Sequence, residues 1–253
     1  MAGGFKLQKW ISNHSSVIDC IPEDNRIKAT TININSDFTV YTLGLCWQPA
    51  MDSFQFSVNI PKPASITKRT ILSNIAKLFE KLRTLKLGWD DPLPDPVRRR
   101  WLNFTESLDD LHHLSFLRWV HYHSSYSTEV HGFCDASHQA IAAVVYIRTV
   151  NTQRDVQTAL LASKTKIAPL KKLTIPRLEL SGACLLTKLV SHFLNVFAFN
   201  NDILPQASWR FVPGTENPAD LAIRGLTPTQ LSELPIWWTG RIGYYKNRQN
   251  GQL

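Results

Sequence analysis

Acidic charge, paired cysteines and long apolar runs are what this chain has least of. In 253 residues, 20 Asp and Glu stand against 28 Lys and Arg, a formal net charge of +8. That imbalance disfavours basic partners and favours polyanions, nucleic acid first. The four cysteines, Cys20, Cys46, Cys134 and Cys184, never fall into a Cys-x-x-Cys pair, which counts against a disulfide framework or a zinc knuckle and fits a reducing compartment. No segment approaches the roughly 18 to 20 apolar residues that a membrane helix needs, and MAGGFKLQKW at the start has no long apolar core behind its charges. A cytoplasmic or nuclear protein is therefore expected, neither secreted nor membrane-bound. Apolar residues still make up 43% of the chain, enough for a packed core, and nothing in the composition points to disorder.

TVYTLGLCWQP (39–49) and FQFSVNI (54–60) predict two strands of a hairpin. From Ser65, Ile71, Leu72, Ile75, Leu78, Phe79 and Leu82 recur at helical spacing opposite Lys68, Arg69, Lys77, Lys81 and Arg83, which predicts an amphipathic basic helix. GWDDPLPDP (88–96) is turn chemistry whose prolines scatter its aspartates, so it is not read as a metal site. VRRRWLNFTESLDDLHHLSFLRWV returns to helical spacing, with Trp101, Phe104, Leu108 and Leu111 on one stripe. His112, His113, His121 and His123 crowd nearby and are read as surface and packing histidines, since no cysteine stands at ligand spacing.

The most informative stretch is HGFCDASHQAIAAVVYI, residues 131–147. Ala140 to Ile147 is an apolar, β-branched run that predicts a buried strand, and Asp135 sits near the end of the strand before it, across a short turn. An unpaired carboxylate in such a place costs several kcal/mol, roughly, unless a metal or a partner compensates it. Residues 156–167 predict a third strand, ending in the basic run Lys164, Lys166, Lys171 and Lys172. A long helix follows, with Thr174 as its cap and Pro176 in its first turn. Glu179 shares that helix's apolar face with Gly182, Ala183, Leu186 and Val190; a first-turn glutamate satisfied by the helix dipole is the plain alternative. Beyond it come an expected strand (Trp209 to Val212), a short helix opened by Asn217 and Pro218 with Asp220 in its first turn, and an apolar anchor at Leu234-Pro-Ile-Trp-Trp.

FCDAS, AAVVYIR, LLASKTKIAPLKKLTIPRLEL and NPADLAIRG together resemble the ribonuclease H-like region of BEL/Pao retrotransposon polyproteins. GGFKLQKWISN, TLGLCWQP, FQFSV, TKRTILSNIAKLF and GWDDPLP resemble the segment that follows the reverse transcriptase palm. The same region also goes under the name of a Pao retrotransposon peptidase, yet no Asp-Thr-Gly or Asp-Ser-Gly is present. The resemblance implies an α/β, ribonuclease H-like mixed sheet with flanking helices, preceded by a small α+β segment. The implied divisions are residues 1–87 (reverse transcriptase-derived), 88–128 (linker and helix), 129–240 (ribonuclease H-like) and 241–253 (tail). It further implies Mg²⁺ or Mn²⁺ held by Asp135, Glu179 and Asp220. Lys164, Lys166, Lys171, Lys172 and Arg177 would meet the phosphates of an RNA–DNA hybrid, with no small-molecule substrate.

The departures from that family pattern bear on activity. A further strand carrying a metal-binding aspartate is expected after the glutamate helix, but AFNNDILPQAS is too short for it; Asp202 is the acidic residue available there, in a loop context. Phe211 stands where many relatives have a histidine. The sheet is therefore expected to be incomplete, with its fourth strand missing. Three functions follow: a degenerate, catalytically impaired ribonuclease H-like core, a metal-dependent nuclease of RNA in hybrids, or a non-enzymatic nucleic-acid-binding remnant.

Overall fold

Residues Ile141 to Thr149 are buried without a break, as only a strand covered on both faces can be. They belong to a computed structural model that describes residues 10–26, 40–42, 45–58, 65–69, 71, 86–169, 171–197 and 208–241. The chain divides into two units, residues 1–59 with 109–119, and residues 60–108 with 120–253.

The first unit holds the short helix α1 (Ser15–Asp19) and four antiparallel strands in the order β1 (Val40–Thr42), β2 (Leu45–Gln48), β3 (Ser53–Phe56) and β4 (Ser115–Leu117). The hairpin predicted from residues 39–49 and 54–60 is the β2–β3 pair, and β1 arises from the same first stretch. β4 corrects the helical reading of residues 97–120. In the second unit, the helix of that stretch, α2 (Asp95–Ser107), ends early, and a 3₁₀ turn (Leu108–His113) precedes the strand. Cross-strand packing overrides local propensity here, because the Phe116 ring lies 5.8 Å from Phe54 and 5.7 Å from Phe56. Arg118 then clamps Asp52 through Nε and Nη2 at 2.6 and 3.0 Å.

In the second unit most of the predicted basic helix of residues 71–82 lies outside the described residues. Arg69 forms a bidentate pair with Asp90, and the Gly88 N–H donates to Asp91 Oδ2, so both aspartates of that turn have protein partners. Ile71, Leu93 and Trp101 form a small buried cluster.

The larger sheet runs β5 (Ser127–Ala136), β6 (Ala140–Val150), β7 (Val156–Ile167). Both pairings are antiparallel. β6 alternates between two cores. Ile141, Ala143 and Val145 face α3 (Ile175–Val196), meeting Leu178, Leu185 and Leu186. Ala142, Val144 and Tyr146 face α4 (Pro218–Arg224) and α6 (Pro235–Thr239), meeting Ala219 and Trp237. A further short helix, α5 (Pro228–Ser232), joins these two. Helices thus flank both sides of an α/β sheet, as expected, and the sheet is incomplete: no described strand pairs with the outer edge of β5. The expected strand at Trp209 to Val212 is not formed. Its aromatic residues favour extended backbone, but no strand among the described residues pairs with it to complete a ladder. Asp202 and the tail after Tyr245 lie outside the described residues.

Candidate active site

A tight turn sets the end of β5. The Ser137 N–H donates to the Ala140 carbonyl at 2.8 Å, and the Ser137 hydroxyl accepts from the N–H groups of Gln139 and Ala140. Register then pairs Asp135 with Ala142 and Ala142 with Thr165. Side chains alternate between faces, so Asp135 lies on the face of Phe133, Ala142 and Val144, toward α4. Cys134 lies on the α3 face.

The turn into α4 brings the second carboxylate. Asn217 caps the helix by accepting from the Ala219 N–H through Oδ1 (3.0 Å), while its Nδ2 donates to the Cys134 carbonyl (3.0 Å). That double attachment fixes the first turn of α4 beside the strand of Asp135, near enough for the Asp220 charge to act on the Asp135 carboxyl. Arg224, one helical turn on, pairs with Asp220 Oδ2 at 2.6 Å.

The third carboxylate comes closer than its position on the opposite face implies. α3 crosses β5 at Gly182, where a Cβ would stand 3.5 Å from the Asp135 carbonyl oxygen and 3.6 Å from Cys134 Cβ. Glu179, one turn earlier on the same side of the helix, is exposed, yet its charge is felt by both Asp135 and Cys134.

These surroundings hold the Asp135 carboxyl above the usual carboxylate range. Burial is the main cause, Asp220 adds to the rise and Glu179 adds less; the Ala136 N–H, donating to Asp135 Oδ1 at 2.8 Å, opposes it. Burial likewise pushes the Cys134 thiol up, with Asp135 and Glu179 reinforcing it.

Whether these donors fit the metals that the resemblance implies is a matter of number and freedom. Asp135 and Asp220 are hard oxygen donors of the right type for Mg²⁺, but one Asp220 oxygen is engaged by Arg224. Among the described residues no group of three or more His, Cys, Asp or Glu is gathered so that it could hold a metal ion. Among the described residues, which do not include Asp202, the set falls short of a two-metal centre.

The five basic residues are all exposed. Lys164 and Lys166 pair with Ala143 and Ile141 on β7, which puts them on the α3 face rather than on that of Asp135. Lys171 and Lys172 lie in the connection to α3, and Arg177 in its first turn.

Two features escaped the sequence reading. Asp220 and Arg224 are an i,i+4 helical pair, a signal that was present. Arg148, only 7% exposed on β6, meets Glu129 Oε2 at 3.4 Å, and His131 meets the same oxygen at 3.1 Å. That cluster depends on β5–β6 register and leaves no local trace.

No curated protein and no solved structure matches the chain. A family model for the Pao retrotransposon-like RNaseH-like domain matches residues 63–204, more than half of the sequence, including Asp135, Glu179 and all five basic residues and ending before Asp220. Among the described residues no helix is long and apolar enough to cross a membrane. With a carboxylate-bearing β5–β7 sheet packed between α3 and α4, and with that match, the chain belongs to the Pao retrotransposon-like RNaseH-like domain family.

Proposed function

We propose that this protein is a retrotransposon-derived, ribonuclease H-like nucleic-acid-binding core whose hydrolytic centre is impaired. The observation that carries the proposal is the engagement of one Asp220 oxygen by Arg224, with no group of three or more metal-ligating side chains gathered among the described residues. Two-metal hydrolysis needs two divalent cations about 3.5–4 Å apart around the scissile phosphate, and such cations take several oxygen ligands each. A single carboxylate pair supplies too few.

Binding survives on different residues. Lys164, Lys166, Lys171, Lys172 and Arg177 are exposed, and contacts from such side chains to phosphates are indifferent to sequence. An RNA–DNA hybrid is the ligand this reading assigns to an RNaseH-like domain, and the four unpaired cysteines suit a cytoplasmic or nuclear setting.

The specific support for a second reading, metal-dependent cleavage of the RNA strand, is that the Asn217 bridge sets the helix of Asp220 beside the strand of Asp135, where the Asp220 charge acts on the Asp135 carboxyl. A labelled RNA–DNA hybrid incubated with the protein and Mg²⁺ or Mn²⁺ separates the two. Salt-sensitive binding without cleavage is the expected result. Cleavage that disappears in Asp135→Asn establishes the nuclease instead, and failure to bind any hybrid rejects both.

A further inference from the structure

Residues 208–213, Ser-Trp-Arg-Phe-Val-Pro, join neither sheet. Trp209 is 61% exposed and Phe211 90%, so two large rings stand in water at alternate positions with the exposed Arg210 between them. Arg210 Nε reaches only as far as the neighbouring Ser208 hydroxyl, at 3.4 Å. Val212 packs into the core on the α4 side, which anchors the segment, and the chain then leads through a 3₁₀ turn (Gly214–Glu216) into the helix that carries Asp220.

A single exposed apolar side chain needs no explanation. An aromatic–arginine–aromatic sequence with both rings open is different, because it offers flat apolar faces together with a cation. We propose that Trp209 and Phe211 form a stacking platform for unpaired bases of a single-stranded nucleic acid, with Arg210 meeting the phosphate between them. Bases of every kind have a π-face, so such a platform is tolerant of sequence. The chemistry selects this occupant over an apolar peptide: Arg210 sits at the centre of the patch, and the protein carries a surplus of eight positive charges. The inference rests on the nucleic-acid reading above but assigns it a second surface, for single strands rather than for paired hybrid.

The test uses the full chain and fluorescein-labelled oligo(dT) and oligo(U) of about 12 nucleotides, a length suited to one such module, followed by anisotropy. The double variant Trp209→Ala/Phe211→Ala is expected to bind them at least fivefold more weakly, roughly the loss of one stacked base, with an unchanged salt dependence. Its affinity for a fully paired RNA–DNA hybrid should stay within about twofold. Trp209→Phe keeps a ring and should keep the affinity, while removing the part of the emission quench that single strands cause in the wild type. Both rings are exposed, so circular dichroism and thermal melting should not change. Single-strand affinity within about twofold in the double variant, with hybrid binding intact, overturns the platform and leaves the hybrid reading standing. An unquenched Trp209 at saturation also overturns it, as does a double variant that alters self-association but not affinity, since the patch would then join two copies of the chain. A wild type that binds neither single strands nor hybrid removes the platform and the reading beneath it together.

Discussion

The Asn217 amide ties α4 to β5, donating to the Cys134 carbonyl at 3.0 Å while accepting from the Ala219 N–H at the same distance. One buried side chain thus caps the helix of Asp220 and fixes it beside the strand of Asp135. Asn217→Ala removes both bonds and should cost about 1–3 kcal/mol, with the Cys134 carbonyl left unmatched. Asn217→Asp keeps a capping oxygen but loses the donor, and it adds a third carboxylate beside two. It should therefore also melt below the wild type at neutral pH. Thermal unfolding followed by circular dichroism checks both; an Asp variant as stable as the wild type would show that only the cap matters.

Asp135 sets the pH dependence. Burial, then Asp220 and Glu179, raise its carboxyl above the unfolded value, with the Ala136 N–H opposing. The folded state therefore holds this proton more tightly than the unfolded chain does. Its contribution to stability is full below the unfolded value of about 3.9 and is lost as pH rises through the raised folded value. Asp135→Asn removes that loss, so the variant should melt about 1–3 °C higher than the wild type at pH 7 and no higher at pH 3.5. Millimolar Mg²⁺ relieves the same repulsion and should raise the melting temperature of the wild type but not of Asp135→Asn. A variant that melts lower at pH 7 would contradict the repulsion.

The parts of this fold legible in the sequence are those written locally. Ala140 to Ile147 announces a strand buried on both faces, Pro176 and Asn217-Pro218 announce two helix starts, and each element lies where its signal stands. β4 was not legible, because three residues become a strand only through β3, more than fifty positions earlier. Trp209 to Val212 shows the converse: strand-forming residues here stay irregular, and no strand among the described residues pairs with them. In the candidate site, Asp135 and Glu179 could be singled out as charges in unlikely places, and Asp220 by the family resemblance. The Asn217–Cys134 bond and the Glu129–Arg148 pair could not, since both follow from register and helix placement.

That second pair has its own consequence. Arg148 is buried, its Nε has no hydrogen-bond partner among the described residues, and Glu129 is its ion-pair partner. Glu129→Ala leaves the guanidinium buried and less matched, at a cost of about 1–3 kcal/mol. Arg148→Met removes the charge and keeps much of the volume, and replacing a buried ionic group in this way is often neutral or stabilising. Urea unfolding of the two variants should show the glutamate substitution to be the more damaging; the reverse order would mean that Arg148 holds the strands together mainly through contacts of its own.

The basic run makes a prediction about salt rather than stability. Lys164 and Lys166 share one face of β7, Lys171 and Lys172 lie in the connection that follows, and all four are exposed. Changing them to glutamine should leave the melting temperature nearly unaltered, because exposed side chains away from packed contacts rarely matter by more than about 0.5 kcal/mol. Hybrid binding should respond differently. Each lysine that meets a phosphate releases counterions on binding, so each substitution should flatten the plot of log affinity against log salt by about 0.7–0.9. The fourfold variant should then bind more weakly at low salt and approach the wild type at high salt, where screening has already removed most of the attraction. Anisotropy titrations of a labelled hybrid between roughly 50 and 200 mM salt measure the slope directly. An unchanged slope would place the phosphate contacts on other cations, and Arg177 in the first turn of α3 would be the next to test.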